Sequence, residues 1–252
     1  MNQLQTGLKE YAESLGADLF GVADLASARE FVRSKGGDNV ARFPRAICIG
    51  IRLLDAVVDE LWRHNEPSAI FAHRGLYDSV NSTLSMIELL VAKRIQAAGF
   101  RAYPIPPSQE VNRRDHGAAF SHKLAANLAG VGWIGKSCLL ITPLYGPRVR
   151  LATILTDAPL QPGTPLPDRC GKCIKCVQAC PAGAITGVRF DRSERREVRF
   201  KAQLCDDYTE KRTSTVGDTL CCLCVYVCPH GAYKSRTDRS DITASESRFR
   251  GD

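Results

Sequence analysis

The chain has 252 residues, 44% hydrophobic and 24% charged, with a formal net charge of +7. That length holds one large domain or two ordinary ones, and the composition is that of a soluble globular protein, not a disordered or fibrous one. The positive balance permits a polyanionic partner such as tRNA without requiring one, and eleven cysteines leave a disulfide scaffold and a metal protein as competing explanations.

Taken in chain order, Leu4, Leu8, Tyr11, Ala12 and Leu15 fall at helical spacing and Gly16 supplies a left-handed stop, so residues 3–15 read as an amphipathic helix. Residues 17–23 read as a strand. Residues 46–53 read as a short buried β-run with Cys48 inside it as a core thiol. Val80, Leu84, Ile87, Val91 and Ile95 predict a long helix over 78–98, capped by Ser79 or Asn81 and ended by Gly99. Residues 100–105 return as a strand. The order α, β, β, α, β favours a mixed sheet covered by helices.

Residues 106–121 have no clean period and hold several polar groups, the kind of loop on which active sites are placed. A short helix over 122–129 leads into Gly130, Gly132, Trp133, Gly135 and Lys136. Three glycines in six residues allow close backbone approach, either to a cofactor or within a tight turn that packs Trp133 in the core. Residues 137–142 and 149–156 read as strands of one hairpin, with Cys138 in packing. Prolines at 159, 162, 165 and 167 then mark a semi-rigid boundary. Residues 189–201 read as a solvated connection or short hairpin, and the tail from Lys234 onward is polar.

The first residues form no apolar signal segment, and no run approaches membrane-spanning length. Reduced thiols, a cytoplasmic setting and no membrane partner are therefore expected. Arg113-Arg114 and Arg195-Arg196 lie too far from the N-terminus to be twin-arginine signals.

Cys170, Cys173, Cys176 and Cys180, the last followed by Pro181, form a C-x2-C-x2-C-x3-C-P run. Cys221, Cys224 and Cys228, followed by Pro229, form a second run, and Cys205 supplies the ligand it lacks. In two-cluster ferredoxins three thiolates of such a run wrap one cluster and the fourth reaches the other. The crossed scheme gives cluster A to Cys170, Cys173, Cys176 and Cys228, and cluster B to Cys205, Cys221, Cys224 and Cys180. Two 4Fe-4S clusters are expected in place of a four-cysteine zinc site, since a zinc ribbon needs two separated C-x2-C pairs. Cys222 is left over. Arg169, Lys172 and Lys175 add positive charge near cluster A, suited to an acidic donor or to ordinary solvation. A ferredoxin part alone needs roughly 60–80 residues, so the long segment before Cys170 suggests that the wire leads to a site.

The glycine-rich segment through Lys136, the Leu-Leu-Ile run, the strand ending at Asp157, the Pro-rich link and the cysteine runs together resemble epoxyqueuosine reductase and, more distantly, the reductive dehalogenases. The likeness is weak before residue 100 and good from about 122 to 231. It implies an N-terminal module holding cobalamin, reduced by electrons from the clusters, with Gly130, Gly132, Trp133, Gly135 and Lys136 near the corrin. In the family a proton-donating Asp stands in an Asp-Ser-x-Pro segment. Here the region reads Arg-Arg-Asp115-His116, which leaves Asp115 and His116 as candidate general acids. The family's reductase also continues into a helical-repeat domain that grips tRNA, whereas this chain stops soon after Cys228.

The expected fold class is α+β, with an N-terminal α/β mixed-sheet domain over 1–158, a linker over 159–167, a two-cluster ferredoxin-like domain over 168–235 and a polar tail over 236–252. The expected function is a cytoplasmic iron-sulfur oxidoreductase. A low-potential donor of ferredoxin or flavodoxin type loads the clusters, which pass single electrons to a cobalamin-type centre at the domain junction. The substrate class stays open between a small molecule, a corrinoid protein and tRNA. The alternatives are an electron carrier or activator of a corrinoid protein with no substrate of its own, and a tRNA epoxyqueuosine reductase.

Overall fold

The computed structural model describes residues 2–107, 118–216 and 221–231. Helix α1 (Gln3–Ser14) begins where the Asn2 side chain accepts the Gln5 N–H at 2.9 Å. It ends before Gly16, whose φ of +102° is open to glycine at little cost. Strand β1 (Leu19–Asp24), helices α2 (Arg29–Gly36) and α3 (Asp38–Ala41), strand β2 (Arg45–Arg52) and helix α4 (Asp55–Asp59) follow. Helix α5 (Pro67–Ala97) comes next, then β3 (Ala102–Ile105), α6 (His122–Leu128), β4 (Trp133–Ile134), β5 (Leu140–Ile141) and β6 (Val149–Thr156). The cysteine-rich region adds α7 (Lys175–Gln178), α8 (Ala202–Val216) and α9 (Leu223–Tyr226).

Four strands form one sheet in the order β1-β2-β6-β3. Alternation of side chains divides its residues between two cores. Ile47, Ile49, Ala152 and Ile154 face the layer of α1 and α5 with Leu8, Leu84, Ile87, Val91 and Ile95. Ala46, Cys48, Leu151 and Leu155 face the layer of α2 and α6 with Val32, Leu124 and Leu128. Cys48 is fully buried as expected, and burial alone pushes its thiol up to about 12.

Three expectations change. The sheet is not mixed: every pairing in it is antiparallel, with Ile47 opposite Ile154 at its centre. Helix α5 begins at Pro67 and not near 78, because Ala69, Ile70 and His73 carry the buried stripe back by three turns. Neither expected cap works as one: the Ser79 carbonyl accepts from Thr83 Oγ1 at 2.9 Å, and Asn81 Oδ1 accepts from Arg150 at 3.1 Å. Finally, residues 137–142 and 149–156 are not partners in a hairpin. Cys138 turns the chain at φ +57°, so β5 is short and pairs back onto β4, while β6 lies between β2 and β3.

The Pro-rich stretch is a strap and not a free tether. Gln5 and Gln161 exchange two hydrogen bonds, Nε2 to carbonyl at 3.1 Å and N–H to Oε1 at 2.8 Å. Gly163 then donates to the Val22 carbonyl at 2.8 Å. The cysteine-rich region is thereby held along the sheet domain that precedes it.

Candidate functional site

The two cysteine runs fold alike. In each, a C-x2-C step leads into a single helical turn, α7 or α9, and then to the cysteine that precedes proline. Cys222 stands just ahead of α9 at φ +56°, whereas Ile174, its counterpart ahead of α7, stands at φ −132°. Cys222 therefore stands where the loop needs a left-handed residue. Its side chain packs on the main core, and burial raises its thiol to about 12. Its place is structural.

The thiols fall into two neighbourhoods that cross between the runs. Cys176 is raised by burial and then by Cys170 and Cys173. Cys228, from the second run, is raised to about 11 by burial and then by Cys170 and Cys176, against backbone N–H groups of His230 and Gly231. In the other neighbourhood burial raises Cys205 to about 11, with Cys221 and Cys180 adding to it. Cys224 lies well above the usual thiol range through burial and the company of Cys222, Cys221, Cys205 and Cys180. A set of thiols whose charges would repel is what a cationic iron core relieves. Backbone N–H groups aimed at sulfur, such as Ala184 to Cys180 Sγ at 3.3 Å, are what a cluster's ligands require. The residues present fit two clusters.

Cys205 is delivered by α8, a helix the sequence reading left out. Its Arg212 reaches the His64 carbonyl in the α4–α5 connection. Together with Cys222 and Cys224 on the core, this seats the cluster B neighbourhood on the sheet domain.

The turn from Gly130 to Lys136 meets this chain's own backbone. A Cβ at Gly130 would stand 2.4 Å from the Thr164 carbonyl oxygen, and one at Gly132 would stand 2.4 Å from that of Ile141. A Cβ at Gly135 would come within 3.3 Å of Cys170 Sγ. Trp133 is buried and meets His230 edge-on with ring centroids 4.9 Å apart. Lys136, also buried, donates to the carbonyls of Gly171 at 3.0 Å and Cys173 at 3.1 Å. Trp133, Gly135 and Lys136 form a seat for the cluster A loops. The glycine positions meet this chain's own Thr164, Ile141 and Cys170 and leave no room for a corrin among them.

Asp115 and His116 lie outside the described residues. Beside that segment the structure adds groups that the sequence reading passed over. His122 Nε2 donates to the Pro106 carbonyl at 3.3 Å, so Nδ1 accepts from Thr153 Oγ1 at 2.8 Å. Burial pushes the ring down to about 4, with Arg150 adding to the effect. Lys123 Nζ donates to the Cys138 carbonyl at 2.6 Å, and burial lowers its pKa. Glu88 is buried under the sheet, accepts the Ile105 N–H at 2.7 Å and is pushed up to about 8 by burial. Their partners lie 15 to 31 positions away for His122, Lys123 and Glu88, beyond any local motif.

Residues 169–243 match the model of a 4Fe-4S double cluster binding domain. The fold and the crossed thiols thus define the class: a sheet domain carrying a double-cluster domain at its C-terminal side. In sequence the chain is similar to an epoxyqueuosine reductase, an oxidoreductase, of Bacillus anthracis, 34% identical over 126 residues, which are 49% of this chain and 33% of that protein. The match spans about a third of that relative's length. In fold it resembles epoxyqueuosine reductase solved with an epoxyqueuosine-modified tRNA-Tyr stem loop, at TM-score 0.58 and 21% identity, covering 91% of this chain and 65% of that one. A reductive dehalogenase described for B12-dependent dehalogenation aligns at TM-score 0.65 and 17% identity, covering 94% of this chain and 33% of that one. Among the described residues no helix is long and apolar enough to cross a membrane.

Proposed function

We propose that this protein is an iron-sulfur oxidoreductase. A low-potential donor of ferredoxin or flavodoxin type reduces one 4Fe-4S cluster, a second cluster receives the electron, and a reducible centre held against the sheet domain takes it on to a substrate. The observation that carries this reading is the crossing of the thiols into two neighbourhoods, Cys170, Cys173, Cys176 with Cys228, and Cys205, Cys221, Cys224 with Cys180. The clusters supply one-electron chemistry. The chain's own residues supply thiolates and N–H groups to sulfur.

Cobalamin is the identity of the reducible centre that the dehalogenase likeness suggests. Titration of anaerobically purified protein with cobalamin tests it: spectral change with tight, saturable binding supports a corrinoid enzyme, and no binding moves the reading to an electron carrier or activator of a corrinoid protein. Action on tRNA is the second reading, favoured by the sequence likeness to epoxyqueuosine reductases. Reductase assays on an epoxyqueuosine-containing tRNA stem loop separate it from reduction of a small molecule. In either case the proton donor is sought at Asp115 or His116, and the setting is taken as cytoplasmic.

A further inference from the structure

Lys136 and Trp133 belong to the sheet domain, yet both are directed at the loop that carries Cys170 and Cys173. Lys136 is 8% exposed and Trp133 2%. The Lys136 side chain is fixed on two carbonyls of that loop, 3.0 and 3.1 Å away, 35 and 37 residues along the chain. The Trp133 indole N–H is buried with no hydrogen-bond partner, a donor left for a cluster sulfur at Cys170. Gly135 between them permits the approach, since any Cβ would crowd Cys170 Sγ and Ile141. Arg169 lies over the outer face of the same indole, 5.9 Å from its centroid.

We propose that Lys136 and Trp133 are positioning residues that raise the reduction potential of cluster A above what its cysteine loop alone would give. The inference rests on the oxidoreductase reading above. Reduction adds one electron and no proton to the cluster, so the product carries one more negative charge. A nearby buried cation and N–H bonds to a ligand sulfur stabilise the reduced form more than the oxidised one. Exposed Lys172 and Lys175 are screened by water and salt, whereas Lys136 acts through a medium of low effective dielectric constant. Asp168 works against it, its carboxylate accepting the Cys170 N–H at 2.7 Å, and Arg189 lies across from Asp168 at 3.6 Å.

The test is a dithionite titration of the full chain, followed by low-temperature electron paramagnetic resonance, with iron and sulfide measured on the same samples. K136Q is expected to make reduction of cluster A about tenfold less favourable, which is 59 mV for one electron, with cluster B unmoved. K136R, which keeps the charge, is expected to return most of the shift. W133F keeps the ring without the N–H and is expected to move cluster A the same way by a smaller factor. Wild-type protein without iron-sulfur clusters would overturn the oxidoreductase reading itself. Given eight irons per chain, an unmoved cluster A in K136Q, or a K136R that shifts as far as K136Q, would overturn this inference alone. If K136Q fails to hold cluster A, W133F decides: an unmoved potential there overturns the proposal.

Discussion

The cluster A cysteines are held between two turns of the sheet domain, at Gly135 and Gly146, with Cys173 and Cys176 half-buried and Lys172 and Lys175 facing solvent. The cluster B cysteines are carried by α8 and α9, and Cys224 packs with Cys222 onto the main core. Both sets of thiols are part-exposed; a basic rim flanks the first, and the second adjoins the main core. Under the proposed function, the difference assigns entry of electrons to cluster A and exit to cluster B. It also divides the requirements: cluster A depends on turns that precede it by many residues, cluster B on a helix of its own region.

The largest expected effect breaks the pair apart. Cys205→Ala and Cys180→Ala should each lower iron from about eight to about four per chain, and the cluster left behind should have one and the same spectrum and potential in both variants. Cys170→Ala should leave the other cluster. If C180A instead retains the cluster that C170A retains, the runs do not cross. A smaller effect is expected at Gly146, where φ is +54° and a Cβ would lie 2.4 Å from the Gly231 N. Gly146→Ala should destabilise the fold by more than about 1 kcal/mol and lose iron from cluster A before cluster B, as read by thermal melting and by iron content. Equal loss from both clusters would remove the distinction between their settings. The smallest effect is at the rim: Lys172→Gln with Lys175→Gln should slow reduction by an acidic protein donor a few-fold at low salt and little at high salt, while reduction by dithionite is unaltered.

What was legible in the sequence follows from how local each signal is. The spacing of eight cysteines encodes both clusters because the ligands come in short runs, and the stripes of α1 and α5 were readable because burial repeats at helical period. Pairing of strands was not: β6 lies between β2 and β3, and nothing local to residues 149–156 tells that partner from β5. Glycine at 130, 132 and 135 did report close approach, but the approaching groups are Thr164, Ile141 and Cys170, which only the folded chain brings near. Lys136 was singled out for the same turn, with its partners at Gly171 and Cys173 equally out of reach of the sequence.

Iron and acid-labile sulfide, measured on anaerobically purified full-length chain, test the central claim most directly. Two crossed clusters predict about eight of each per chain, with all iron lost together with visible absorbance on exposure to chelator and oxidant. About four of each, or zinc in place of iron with no labile sulfide, would contradict it.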